Sequence, residues 1–247
     1  MREVKRVADK ERYLRQVPVI GEDGQKSLSE ALVVIAGAGG LGSPVAIYLA
    51  AAGVGCLRII DRDVVERTNL NRQVIHWERD IGRNKTASAE EKIIAMNPDV
   101  SIDSRPLAID AENAADLVRG ADIIVDATDN FAVRYALNRA ACDNNIPLVH
   151  GAIRGFDGQV TTIIPGKTAC LRCTFPEPPP EEVTPVFGTT AGIIGLIQAN
   201  EVAKYLTGAG SLLENRLMLW NGRSTKLYEM PLARDPACRD CGDAGKK

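Results

Sequence analysis

Glycines in the pattern Gly37-x-Gly39-x-x-Gly42 follow an apolar run of strand length and precede a segment typical of a helix. This spacing lets the backbone approach a phosphate closely, and the free amides at the start of the next helix favour an anion. Asp61 ends the next apolar run, about 20 residues after the last glycine, where a carboxylate can bind a ribose hydroxyl. We therefore expect an adenine nucleotide at this loop, which also contains Gly40. The alternative is a tight turn used only for packing.

A second group of side chains, which we expect beside the glycine loop, combines cations, an amide and a carboxylate. Its members are Arg15, Asn69, Arg72, Lys85 and Asp129. A nicotinamide dehydrogenase does not need several cations around the phosphates. The cleavage of a triphosphate does, because charge spreads over the transferring and leaving phosphates while a carboxylate holds Mg²⁺ between them. Taken singly, Arg15, Arg72 and Lys85 could be solvated surface charges, and Asp129 could be a helix cap.

Four of the six cysteines form two Cys-x-x-Cys pairs that lie far apart in the chain. The pairs consist of Cys170, Cys173, Cys238 and Cys241. Each pair can offer two thiolates to one ion, so that both together would complete a tetrahedral zinc site without an open position. We expect structural Zn²⁺ that ties the C-terminal tail to the base of a crossover loop. The alternative is two redox dithiols, although neither pair lies in a thioredoxin-like βαβ setting.

The elements that must position these residues alternate between strand and helix in the first half of the chain and then give way to a hairpin. We predict strands at 32–36, 56–60, 100–107, within 121–130, and at 147–153 and 158–164, with further candidate strands at 217–220 and 225–230. We predict helices at 25–31, 44–52, 85–96, 113–119, 131–145 and 189–207. The predicted fold class is α/β, a mostly parallel sheet with helices on both faces that antiparallel strands extend. Residues 1–30 form an N-terminal arm and helix, 31–153 the nucleotide-binding core, and 154–247 an extension with the crossover loop and the cysteine site. We expect the three parts to form one integrated domain.

Composition excludes several function classes. The 247 residues contain 30 Lys and Arg against 32 Asp and Glu, a net charge of −2, so no overall field attracts nucleic acid or an anionic membrane. No run approaches the ~18 apolar residues of a membrane span, and the charged first residues lack the apolar core of a signal peptide. We expect a cytoplasmic protein without a membrane or nucleic-acid partner.

The order of the motifs carries a resemblance that runs over nearly the whole chain. The motifs are Arg12-Tyr13-x-Arg15-Gln16, Gly37-x-Gly39-Gly40-x-Gly42, Asp61-x-Asp63, Asn69-Leu70-x-Arg72-Gln73, Lys85, Asp126-x-x-Asp129-Asn130, Gly155-Phe156-x-Gly158-Gln159-Val160 and the two cysteine pairs. This combination resembles the MoeB/ThiF/HesA family of ubiquitin-activating-enzyme-like adenylyltransferases. The resemblance implies a Rossmann-like fold, a homodimer and binding of ATP with Mg²⁺. It also implies adenylation of the C-terminal Gly-Gly carboxylate of a small ubiquitin-fold sulfur-carrier protein.

The resemblance also implies roles for particular residues. ATP would be held by Gly37, Gly39, Gly40, Gly42, Asp61, Asn69, Arg72, Lys85 and Asp129. In this assignment Asp61 binds the ribose, Arg72 and Lys85 bind phosphates, and Asp129 binds Mg²⁺, with Asn130 as a neighbouring contact. Arg15 matches the arginine that reaches into the partner subunit's site. No general base is needed, because the attacking carboxylate is already ionised at neutral pH.

One departure from the family pattern concerns cysteine. Relatives that form a covalent thioester or persulfide conjugate have a cysteine in the crossover after the first pair, whereas residues 174–195 contain none. We therefore expect the reaction to stop at the acyl-adenylate, with a sulfurtransferase as a candidate further partner. The pathway could be molybdopterin synthesis, thiamine synthesis or tRNA thiolation.

Other function classes stay open at this point. A nicotinamide-linked oxidoreductase would use the same loop, but His76 and His150 are interpreted as structural, which leaves no evident hydride-transfer partner. A non-catalytic nucleotide-gated adaptor would be expected to lose Arg72, Lys85 or Asp129, and all three are present. A relative that activates a carboxylate on tRNA is disfavoured by the near-neutral charge and by the cysteine pairs.

Overall fold

An eight-stranded sheet forms the centre of the computed structural model, which describes residues 10–180 and 185–242. Its strands are β1 Leu32–Ala36, β2 Cys56–Ile60, β3 Ser101–Arg105, β4 Ile123–Asp126, β5 Leu148–Arg154, β6 Asp157–Ile163, β7 Arg216–Asn221 and β8 Lys226–Pro231. The spatial order is β3-β2-β1-β4-β5-β6-β7-β8. The pairs from β3 to β5 are parallel, and those from β5 to β8 are antiparallel.

Helices cover both faces of this sheet. They are α1 Val17–Glu30, α2 Gly42–Ala51, α3 Lys85–Met96, α4 Ala114–Val118, α5 Phe131–Asn144, α6 Leu171–Thr174 and α7 Gly188–Thr207. Side chains along β1 point alternately to the two faces of the sheet, so the core has two parts. Val33 and Ile35 pack toward α2, α3 and α7, whereas Val34 and Ala36 pack toward α4 and α5. The predicted α/β fold, mostly parallel with helices on both faces, is confirmed.

The second half of the chain extends the sheet as predicted. Strands β5 and β6 form a hairpin in which Arg154 pairs with Asp157 across the turn Gly155–Phe156. The crossover loop expected after the first cysteine pair includes residues 181–184, which lie outside the described residues. Downstream of them, Val186 forms a parallel bridge with Gly155, so the chain returns to the hairpin before α7 begins. Within the described residues, no helix has the length and apolar character needed to cross a membrane.

The largest difference from the predicted elements is the first helix, which was expected at 25–31 and instead begins at Val17. Pro18 stands in the first turn, where a missing N–H costs no hydrogen bond. Gly21 has non-helical angles, φ 74° and ψ 169°, so a kink interrupts the helix. This kink conceals the helical periodicity of the first part, and sequence pattern alone therefore finds only the second part.

Candidate active site

The glycine loop between β1 and α2 lies at the edge of the sheet where the parallel strands end. Gly37 has φ 99°, a conformation that residues with a Cβ rarely adopt. A Cβ added at Gly42 would lie 1.8 Å from the carbonyl oxygen of Gly37, so the start of α2 packs directly on the turn. The dipole of α2 is positive at this end, and the N–H of Ser43 donates a 2.9 Å bond to the carbonyl of Gly39, which holds the loop against the start of the helix. The loop is therefore suited to bind a phosphate.

Asp61 follows β2 at the same edge and contacts the glycine loop directly. Its Oδ2 accepts a hydrogen bond of 2.8 Å from the backbone N–H of Ala38, and its Oδ1 accepts one of 2.8 Å from the N–H of Asp63. Lys85, the first residue of α3, lies with Nζ 2.9 Å from Asp63 Oδ2 and 4.0 Å from Asp61 Oδ2. The Lys85 side chain is only 7% exposed, so a buried cation stands beside the loop.

Arg72 lies on the other side of the loop. Its stem packs on the loop, since a Cβ added at Gly40 would lie 3.4 Å from Arg72 Cγ. Its Nη1 donates 3.0 Å to the carbonyl of Thr68, which directs the guanidinium along the long connection 62–83. Asn69 shapes the same connection by accepting a 3.1 Å bond from the N–H of Glu66. The connection between β2 and α3 therefore carries a cation to the glycine loop.

Asp129 lies in the turn after β4, against the glycine loop. A Cβ added at Gly37 would lie 2.7 Å from the carbonyl oxygen of Ala127, two residues before Asp129. Asn130 caps α5 by accepting a 2.9 Å bond from the N–H of Val133. The simpler interpretation of Asp129 as this cap is therefore wrong. The Asp129 carboxylate is exposed and pairs with no other described side chain, which leaves it available to a cation.

The structure does not bring Arg15 to these residues within one chain. The Tyr13 hydroxyl accepts a 2.9 Å bond from Asn97, and Gln16 donates 2.8 Å to the carbonyl of Ala52. Both partners precede strands, so this segment lies at the amino edge of the sheet, one strand length or ~17 Å from the glycine loop. Arg15 is exposed there and no ion pair ties it to the described residues.

His76 is a residue of the site that sequence pattern interpreted only as structural. It is buried, with Nε2 2.9 Å from the carbonyl oxygen of Ala38 and Nδ1 2.8 Å from Ser88 Oγ. Burial lowers the pKa of His76, which favours the neutral ring. Ala38 is thus held at its carbonyl by His76 and at its N–H by Asp61. No spacing in the sequence connects His76 with the loop.

A cavity of about 520 Å³ opens beside this edge, next to the antiparallel strands. Its lining is rich in aromatic side chains and also contains cationic and amide groups, among them Phe131, Arg134, Gln159, Phe175, Trp220 and Tyr228. Phe131 stands two residues after Asp129, so the cavity continues the site away from the glycine loop. The cavity therefore combines an apolar wall with a few polar groups, as ligand sites commonly do.

The four paired cysteines come together at one point. Their sulfur atoms lie within 4.8 Å of one another. Sγ–Sγ distances are 3.8 Å for Cys170 and Cys173, 3.6 Å for Cys170 and Cys238, and 3.4 Å for Cys173 and Cys241. Four thiolates at the usual Zn–S bond length would be ~3.8 Å apart in a tetrahedron. The cluster can therefore hold a metal ion.

Comparisons with known proteins agree with this geometry. The sequence model of the ThiF family matches residues 12–240. A SAMP-activating enzyme E1 of Haloferax volcanii is 42% identical over 243 residues, which cover 95% of this chain and 90% of that protein. A sulfur carrier protein adenylyltransferase of Thermus thermophilus is 41% identical over 94% of this chain and 91% of its own length. An adenylyltransferase and sulfurtransferase of Zea mays, MOCS3-2, is 40% identical over 94% of this chain, which spans 50% of that protein.

Solved structures share the fold. E. coli MccB with ATP superimposes with a TM-score of 0.82 at 28% identity, covering 91% of this chain and 70% of MccB. E. coli MccB with MccA-N7isoASN gives a TM-score of 0.86 at 26% identity, covering 96% of this chain and 75% of MccB.

Proposed function

Because this chain belongs to the ThiF family, we propose that it transfers the adenylyl group of ATP to a small ubiquitin-like sulfur-carrier protein. The acceptor would be the C-terminal Gly-Gly carboxylate of that carrier. One observation carries the proposal: Asp61, Arg72, Lys85 and the turn of Asp129 all surround the glycine loop. An oxidoreductase has no use for this set of charges, whereas phosphate chemistry does.

In this proposal the glycine loop and the start of α2 bind the phosphates of ATP, and Asp61 accepts a hydrogen bond from the ribose. Asn69 shapes the connection that carries Arg72, and Asn130 orients the turn of Asp129 by capping α5. Arg72 and Lys85 offset the negative charge on the phosphates as it shifts toward the leaving group. Mg²⁺ held by Asp129 would supply further neutralisation of the phosphate oxygens.

The chemical step needs little more than positioning. The carrier carboxylate, ionised at neutral pH, attacks the α-phosphorus of ATP, and the bond to the bridging oxygen breaks to release pyrophosphate. The product is an acyl-adenylate. No proton has to be removed, so this reaction needs no general base. Holding the two reactants in line accounts for much of the rate.

The aromatic cavity is our candidate for the channel of the carrier tail. Gly-Gly has no side chains, so it can lie along the wall formed by Phe131 and Phe175, whose rings pack edge to face with centroids 5.8 Å apart. Arg134 and Gln159 offer hydrogen-bond donors to the peptide carbonyls of such a tail. The candidate carriers are those of the molybdopterin, thiamine and tRNA-thiolation pathways. The carrier that this protein adenylates would identify the pathway.

We propose Zn²⁺ as the metal of the cysteine cluster, because four thiolates at tetrahedral spacing are the usual ligand set of structural zinc. The N–H of Asp235 lies 3.4 Å from Cys173 Sγ, as expected for a hydrogen bond to a thiolate. The ion would join the start of α6 to the segment at 238–241. It has no open position and would take no part in the chemistry.

A homodimer would complete the site. Arg15 lies at the far edge of its own sheet, so in this proposal Arg15 of the partner subunit supplies the additional cation. The segment 174–195 has no cysteine that could take over the acyl group. We therefore propose that a separate sulfurtransferase supplies sulfur to the adenylated carrier. A covalent cysteine adduct with the carrier, found by mass spectrometry after incubation with ATP, would contradict this last point.

Exchange of labelled pyrophosphate into ATP, measured with each candidate Gly-Gly carrier, tests the function. We expect carrier-dependent exchange by the native protein and its loss in Arg72→Ala and Asp129→Ala. Arg67→Ala and Asp116→Ala are matched controls, since Arg67 on the same connection pairs with Glu78 and Asp116 pairs with a surface arginine. Exchange that persists in both test variants would show that the site is placed wrongly.

A further inference from the structure

Asp126 is a buried carboxylate that shapes the turn of Asp129. It ends β4 and has no exposed surface. Its Oδ1 accepts a 3.1 Å bond from the backbone N–H of Thr128 and a 2.7 Å bond from the Thr128 hydroxyl. Both donors belong to the residue before Asp129. The conformation of the turn therefore depends on where this carboxylate is held.

His150 on the neighbouring strand holds the other oxygen of that carboxylate. Strand register places His150 opposite Asp126, and its Nδ1 lies 2.7 Å from Asp126 Oδ2 in a fully buried position. Burial lowers the pKa of His150, so the ring is neutral. Burial alone would raise the pKa of Asp126, but the hydrogen bond from His150 and the nearby Arg134 hold it below its ordinary value. An ionised carboxylate therefore accepts the N–H of a neutral imidazole.

Two further side chains complete this network. Arg134 donates 2.7 Å to the carbonyl of Thr128, and its Nε lies 3.9 Å from Asp126 Oδ2. With Nδ1 donating, His150 Nε2 accepts, and Gln159 Nε2 lies 3.3 Å from it. Thr128 is thus fixed at its N–H, its hydroxyl and its carbonyl. Arg134 and Gln159 both line the aromatic cavity, so the network joins the cavity to the turn.

We propose that His150 is a positioning residue for Asp129, acting through Asp126 and Thr128. It would hold the turn in the conformation in which the Asp129 carboxylate can bind the cation of the nucleotide. The inference rests on the proposed function for the identity of that cation. The geometry of the network itself does not depend on it.

The physical consequence of losing the His150 N–H follows from burial. Asp126 Oδ2 would be left without its donor in a dry site, which a buried ionised group tolerates poorly. The carboxylate would turn toward Arg134, and the Thr128 N–H and hydroxyl would lose their fixed acceptor. Asp129 would then have to be ordered by the cation itself. Arg72 and Lys85 are held by other residues, so the rate at saturating cation should change little.

Three variants separate positioning from general stability. His150→Phe keeps a ring and removes the N–H. His150→Asn keeps an amide N–H at about the place of Nδ1. Thr162→Val is the control, because it removes an equally buried 2.6 Å bond, from Thr162 Oγ1 to Glu201 Oε2, on a neighbouring strand. Thr128→Val, which spares the buried pair, serves if His150→Phe does not fold.

The first readout is hydrogen–deuterium exchange of the peptide at 127–133 in the protein without nucleotide or metal. We expect faster exchange there in His150→Phe, restoration in His150→Asn and no change in Thr162→Val. The second is the Mg²⁺ concentration for half-maximal pyrophosphate exchange, which should rise about tenfold in His150→Phe while the rate at saturating Mg²⁺ stays within about threefold.

Unchanged exchange at 127–133 together with an unchanged Mg²⁺ requirement in His150→Phe or Thr128→Val would overturn the proposal. An equal loss of rate in His150→Phe and in Thr162→Val would also overturn it. If the native protein does not catalyse pyrophosphate exchange at all, the proposed function fails. The deuterium measurement would still decide whether His150 positions the turn.

Discussion

The position of Arg15 makes the strongest prediction about the assembly. Its neighbours Tyr13 and Gln16 are bound to residues that precede β2 and β3, whereas Asp129 follows β4 at the opposite edge. A strand length of ~17 Å separates the two edges and exceeds the reach of an arginine side chain. If Arg15 is needed for catalysis, it must therefore act on a second copy of the chain.

Mixing two inactive variants tests this geometry quantitatively, because it predicts the fraction of sites that regain activity. Arg15→Ala and Asp129→Ala should each abolish exchange as homodimers. In a mixed dimer, the chain with Arg15→Ala keeps its own Asp129 and receives Arg15 of the partner subunit, so one of the two sites is intact. Random pairing of equal amounts makes about half of the dimers mixed, and about one quarter of all sites should then be active.

The assay is pyrophosphate exchange on the two variants expressed together from separately tagged genes. Purification through both tags isolates the mixed dimer, for which we expect about half of the native activity per dimer. In a control experiment, Arg12→Ala takes the place of Arg15→Ala. This change removes only an exposed hydrogen bond to the carbonyl of Met96. Mixed dimers that remain as inactive as their parents would refute the reasoning, and so would full activity of Arg15→Ala alone.

Three further outcomes follow from the structure. Burial alone would raise the pKa of Asp80, but pairing with Lys92 lowers it from 3.8 to about 2. This folded-state pKa lies below the unfolded one, so Asp80 contributes about 2 kcal/mol above pH ~4 and loses it as the pH falls toward ~2. Asp80→Asn should remove that part of the pH dependence in urea unfolding, and an unchanged difference between pH 7 and pH 3 would contradict it. Gly42→Ala should destabilise the fold by about 3 kcal/mol, because its Cβ would overlap the Gly37 carbonyl; a melting temperature equal to that of the native protein would show that the loop can shift. Metal analysis should find one zinc ion per chain, lost in Cys173→Ser together with a lower melting temperature, and full zinc content in this variant would argue against the cluster.

Sequence pattern located the framework of the site well, because local signals mark its elements. The apolar run before Gly37 defines β1, the one after Gly55 defines β2, and Pro98 ends α3 at the place expected. The glycine spacing and the cysteine spacing are likewise local. Each spacing by itself indicates which residues lie close to one ligand. The fold class and the cysteine cluster could therefore be predicted from the chain alone.

Relations between distant residues depended on strand register and on which edge each connection reaches. His150 meets Asp126 only because β4 and β5 pair in one register, and His76 meets Ala38 only because a long connection folds back beneath the loop. The same geometry sends Arg15 to the edge opposite Asp129. Residue types and spacing identified most of the chemical groups. Only the tertiary structure decided which of these groups are in contact, because contacts between segments far apart in the chain leave no periodic pattern in the sequence.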